Sequence, residues 1–140
     1  MSLQTALTAL KTANAALHAL IGQNFTPDIF PQEIEMPAAR FIQISKVERD
    51  YTFAGRPQLC TIRVQVDGIA PTSAERTTLR EAIINCFLPV TRVSGVYGGE
   101  TILDIRTDGA ITAVDRLDSE HEAYRATLDF ICDFRWSAAL

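Results

Sequence analysis

Tyr124-Arg125-Ala126-Thr127-Leu128-Asp129-Phe130-Ile131-Cys132-Asp133-Phe134-Arg135-Trp136 is the stretch on which the fold turns. Tyr124, Ala126, Leu128, Phe130, Cys132, Phe134 and Trp136 share one parity, and Arg125, Thr127, Asp129, Ile131, Asp133 and Arg135 share the other. Successive side chains of a strand point to opposite faces, so this pattern predicts a strand with an apolar face and a polar face. At ~3.3 Å per residue the stretch spans roughly 43 Å, about twice a common strand. A compact chain of 140 residues has a diameter of very roughly 37 Å. The strand therefore either bends with its sheet, is broken by a bulge, or serves a contact beyond the domain.

Upstream of it, Thr72-Ser73-Ala74-Glu75 forms a capping box after Pro71. Leu79, Ala82, Ile83, Cys86 and Phe87 follow at helical spacing, so a helix is predicted here, ended by Pro89. A second helix is predicted over residues 2–21, where Leu3, Leu7, Leu10, Leu17, Leu20 and Ile21 recur every three or four positions. Gly22 stops it, and its outer face carries Thr, Gln, Ala and Asn, with Lys11 and His18 as its only titratable side chains. Residues 23–38 hold Pro27, Pro31 and Pro37 among apolar residues and read as an ordered loop lying on the core.

Two further strands, Phe41–Val47 and Leu59–Ile69, flank the turn residues Ala54-Gly55-Arg56-Pro57 and predict an antiparallel hairpin. In its second arm Cys60, Ile62, Val64 and Val66 oppose Thr61, Arg63, Gln65 and Asp67, one set facing the core and the other water. The polar tip fits either an arm leaving the sheet or a solvated turn. Val90–Val96, Thr101–Arg106 and Ala110–Leu117 are short strand candidates separated by Gly98-Gly99 and Asp108-Gly109, continuing the sheet as a meander. The expected fold is one α+β domain over residues 1–140. It is an antiparallel β-sheet with two helices packed on one face, in the order α-β-β-α-β-β-β-β, with a long β-hairpin arm.

Composition narrows function by exclusion. Hydrophobic residues make up 47% and charged residues 21%, an ordinary globular balance. The net charge is −4 and the basic residues are scattered, which argues against tight nucleic-acid binding. Cys60, Cys86 and Cys132 fall at apolar-face positions and read as reduced core residues. No basic leader, cleavage site or membrane-length apolar run is present in the sequence, so a cytosolic chain is expected.

A catalytic reading finds little to build on. His121 sits between Glu120 and Glu122, but residues so close in sequence diverge in direction. Asp104, Asp108, Asp115, Asp118 and Glu120 concentrate negative charge without the spacing of a calcium loop. Gly95, Gly98 and Gly99 lack the Lys and Ser or Thr of a phosphate loop. The expectation is therefore no enzyme, no cofactor and no metal, with assembly or binding as the class.

Several local patterns in this order resemble the siphophage tail terminator, or tail completion, proteins. The Leu-Ala helix ending at Ile21-Gly22 is followed by Ile29-Phe30-Pro31. Arg49-Asp50-Tyr51-Thr52-Phe53-Ala54-Gly55 is similar to the family's hairpin tip, and Tyr124-Arg125 followed by Leu128-Asp129-Phe130 to its last strand. The resemblance covers nearly the whole chain. It implies a hexameric ring in the virion neck, assembled in the host bacterial cytoplasm, that caps the tail tube, stops its elongation and joins it to the head.

The partners implied are other copies of the chain, the tail tube protein and the head-tail connector proteins. DNA would pass through the lumen without specific binding, and no membrane is involved. Interface candidates are Arg49, Asp50, Tyr51 and Arg56 in the arm, with Arg125, Asp129, Asp133 and Arg135 on the final strand. Alternatives are another neck component, such as a head-closure or connector protein, and a small-molecule-binding α+β domain.

Overall fold

The computed structural model describes residues 3–30, 34–51, 57–89, 93–107, 113–118 and 123–135. In chain order these form α1 (Leu3–Ala13), α2 (Ala15–Ile21), β1 (Phe25–Pro27), β2 (Ala38–Tyr51), β3 (Pro57–Ala70) and α3 (Ser73–Phe87). Then come β4 (Gly95–Tyr97), β5 (Glu100–Arg106), β6 (Ala113–Asp118) and β7 (Ala123–Arg135). The strands make one sheet in the order β1-β2-β3-β7-β5-β4, with β6 also paired to β7. This is the expected α+β architecture. Two refinements apply: the first helix is split, and a short extra strand precedes the hairpin.

The final strand lies in the middle of the sheet. Along one edge it pairs with β3 from Leu59↔Arg135 to Ala70↔Tyr124 without a slip. Along its other edge β5 takes residues 131–135 and β6 takes residues 123–128, both antiparallel. β5 and β6 thus run in the same direction, end to end along β7. The expected meander through Asp108-Gly109 is replaced by a split strand; that dipeptide lies outside the described residues. The length of β7 is consumed inside the sheet, by one long neighbour and two short ones. The bulges fall instead in β2, between Gln43 and Ser45, and in β5, between Ile102 and Asp104.

The helices cover one face. Cys60, Ile62, Val64 and Val66 from β3 and Leu128, Phe130, Cys132 and Phe134 from β7 meet Leu79, Ala82, Ile83, Cys86 and Phe87 of α3, with Ala6, Leu7 and Leu10 of α1. Phe87 stacks on Phe130 at 5.0 Å between ring centroids. Thr72 caps α3, accepting the Glu75 amide at 3.2 Å. Gly68 lets α3 come close: a Cβ there would lie 2.8 Å from Leu79 Cδ2. Gly98 and Gly99, at φ 60° and 81°, close the two-residue β4–β5 turn against Thr5 of α1, a conformation that favours glycine at both positions. All three cysteines are buried free thiols.

The break between α1 and α2 is made by Asn14. Its backbone is extended and its side chain accepts the Leu17 amide at 3.0 Å, so it ends one helix and caps the next. Lys11 exploits the corner. It is fully buried, and its Nζ donates to the Gly22 carbonyl at 2.7 Å and lies 3.2 Å from His18 Nδ1. The ammonium thus sits at the C-terminal end of α2, where the helix dipole favours positive charge. Burial pushes its pKa below the ordinary lysine value, and the same burial pushes Cys86 beside it up to about 12.

The proline-bearing segment does lie on apolar residues, but part of it is a strand. Phe25–Pro27 pairs parallel with residues 39–41 of β2. Past it, the chain crosses to the face without helices, where Phe30, Ile34 and Met36 gather with Ala38, Ile69 and Ala123 into a second apolar cluster. The end of that face nearest Ala70 is therefore covered.

Candidate assembly surfaces

The helix-free face carries a ladder of charge across β2, β3, β7 and β5. At its covered end Asp67 of β3 is fully buried. Arg40 of β2 clamps it through Nε and Nη2, each 2.9 Å from Oδ2. Gln65 Nε2 donates to Oδ1 at 3.1 Å, and Arg125 Nη1 of β7 stands 3.7 Å from Oδ2. The Phe30 ring closes over both guanidiniums, 5.0 Å from Arg40 and 6.0 Å from Arg125. A carboxylate so desolvated needs this company, because an unpaired buried charge costs several kcal/mol. Asp67 was expected on a wet face; the crossing segment that carries Phe30 buries it instead.

Towards the other end, Asp133 of β7 accepts from Thr61 Oγ1 at 2.7 Å and forms a close ion pair with Arg106 of β5. Arg106 also reaches Asp104 at 3.7 Å. Asp129 and Asp133 are half-buried and Arg135 is exposed. Arg125 is buried and engaged within the subunit. The four β7 candidates therefore separate: Arg125 holds strands together, Asp133 belongs to a cross-strand cluster, and Asp129 and Arg135 retain reach towards solvent. The pairing of Asp67 with Arg40 and of Asp133 with Arg106 is not legible in the sequence, since nothing local marks which wet-face charges a neighbouring strand or a crossing segment will engage.

The arm candidates lie at the far end of the hairpin. Arg49, Asp50 and Tyr51 are in β2, with Arg49 opposite Leu59 and Tyr51 opposite Pro57. Arg56 lies outside the described residues. Among the described residues β7 reaches Arg135, opposite Leu59, and pairs with no residue of β3 before Leu59. Beyond Phe41 the outer edge of β2 carries no strand among the described residues. Two apolar side chains, Ile44 at 51% and Val47 at 54% relative exposure, stand beside that edge. On the opposite margin Val96 of β4 is 69% exposed.

Among the described residues, no cluster of three or more His, Cys, Asp or Glu side chains could hold a metal ion. His18 is engaged with Lys11. His121 lies outside the described residues, as do the side chains of Asp115 and Asp118. No described helix is long and apolar enough to cross a membrane.

This geometry can be set beside known proteins. No family model and no curated protein matches the sequence. A chain from the virion of a native gene transfer agent (GTA) particle has this fold. The TM-score is 0.64 and 96% of each chain is covered, at 15% sequence identity. At that identity the likeness is one of fold. Coverage is nearly complete in both directions, so the likeness is not confined to one part of the chain.

Proposed function

We propose that this chain is a structural subunit of a phage or phage-like particle, and within it a tail terminator. Six copies would form a ring that caps the tail tube, stops its elongation and offers the surface that joins the head. The observation that carries the reading is the end-to-end fold likeness to a virion chain. The outer edge of β2 beyond Phe41, which no described strand covers, and its exposed Ile44 and Val47 add to it, since a monomer usually protects such an edge.

The chemistry of such a subunit is surface complementarity. Arg49, Asp50, Tyr51 and Arg56 of the arm and Asp129, Asp133 and Arg135 of β7 would meet neighbouring subunits, with Arg125 keeping β7 seated through Asp67. The ladder alternates Arg63, Arg106 and Arg135 with Asp104, Asp129 and Asp133. That balance suits a lumen or a protein contact that DNA slides past, because firm phosphate binding needs unopposed positive charge.

The test is to mix the protein with polymerising tail-tube subunits and image the products. A terminator arrests growth and is found at tube ends. Binding to head-side connector rings with no effect on tubes would reassign the chain to another neck position, such as head closure. Binding to neither would remove it from the neck.

A further inference from the structure

The two margins of the sheet match each other in height and direction. Arg49 of β2 pairs with Leu59, Leu59 with Arg135, Arg135 with Thr101, and Thr101 with Val96 of β4. One row of residues thus runs from the arm of β2 straight across to the middle of β4. Every step along it is antiparallel, so β2 and β4, four steps apart, point the same way.

We infer that β4 of a second copy adds to the open edge of β2, as a short parallel strand level with residues 48–50, so that the sheet continues from subunit to subunit. The inference rests on the ring reading above and supplies its joint. Three features of this chain favour a second copy as the occupant. First, the same edge of β2 already accepts a three-residue parallel strand, β1, against residues 39–41, and β4 is also three residues long. Second, the bulge at Gln43/Ser45 precedes the arm, and from Ser45 to Tyr51 the pairing with β3 is regular, so a straight ladder stands there whose outer side no described strand covers. Third, each margin leaves large apolar side chains exposed, Ile44 and Val47 beside the polar Gln43, Ser45 and Lys46 on one and Val96 on the other.

A β2-to-β4 contact joins unlike patches, so each addition repeats one rotation and leaves the next edge open until the ring closes. The right-handed twist that each added strand carries curves the growing sheet instead of letting it extend flat. A symmetric β2-to-β2 contact would instead stop at a dimer.

The experiment is paired cysteine substitution. Arg49→Cys and Val96→Cys are made singly and together, with Cys60, Cys86 and Cys132 left in place because they are buried. Unchanged circular dichroism and urea midpoint establish that each variant folds. Under mild oxidation, in concentrated solution and again with tail-tube subunits, the double variant should lose most of its monomer band to a covalent ladder that ends at the ring size measured by native mass. Each single variant should remain monomeric on the denaturing gel.

Covalent dimers from Arg49→Cys alone would overturn the inference in favour of β2-to-β2 pairing. A double variant that assembles by native mass yet does not cross-link overturns the joint and leaves the ring standing. A protein that stays monomeric under both conditions takes down joint and ring together.

Discussion

Asp67 shows how one side chain ties the hairpin, the central strand and the crossing segment together. Arg40 comes from β2, Arg125 from β7, Phe30 from the segment between β1 and β2, and all converge on a carboxylate in β3 with no exposure of its own. The group is worth little as net attraction, since desolvation offsets most of it, but breaking it strands two guanidiniums beneath an aromatic ring. Asp67→Asn should therefore cost about 3–5 kcal/mol in urea unfolding. Arg125→Met, which leaves Asp67 with Arg40 and Gln65, should cost only about 1–2 kcal/mol. If the two variants unfold at the same urea concentration, the carboxylate is not the hub that its geometry describes.

Among the elements, the α1–α2 corner is the place where a local rule decides a shape. Asn14 caps α2 through the Leu17 amide, and Lys11 closes the other end of the same helix through the Gly22 carbonyl. Asn14→Ala should cost about 1 kcal/mol, and Asn14→Gly only a few tenths. At this chain size the alanine variant should melt roughly 3 °C lower. Thermal melts showing Asn14→Ala no less stable than Asn14→Gly would mean that the cap does not hold the corner.

The same corner shows what could be read from sequence and what could not. Asn14 is a strong capping residue, but the alanines on both sides carry helical periodicity through it and the break passes unseen. Lys11 follows Leu7 by four residues and so lies on the apolar side of the stripe, yet its burial depends on a carbonyl eleven residues away. Strand β1 has three residues and a proline, and exists only because the edge of β2 is there to receive it. By contrast α3, the long hairpin and β7 are legible because each carries its own capping box or alternation over many residues. For the candidate surfaces, sequence marked the arm and β7, while the burial of Arg125 depended on a tertiary cover that no local pattern encodes.

For the whole molecule, the sheet order sets a gradient of stability. β7 has neighbours on both edges along nearly all its length, β3 is sandwiched between β2 and β7, and the helices cover the face that both present to the core. Past Phe41 no described strand covers the outer edge of β2, and β4 is a three-residue strand at the other margin of the described sheet. Local opening requires breaking only the contacts that cover an amide, so protection should rise from the margins to the centre. In hydrogen exchange, amides of residues 60–66 in β3 and 128–134 in β7 should exchange at the global unfolding rate. Those of residues 95–97 and of the outer β2 edge over residues 43–47, which no described strand covers, should exchange orders of magnitude faster in the free subunit. On assembly into a ring joined at the margins, residues 43–51 and 95–97 should slow together while the centre does not change. Slowing at one margin alone would mean that the sheet ends at each subunit, with contacts made by its faces instead of its edges.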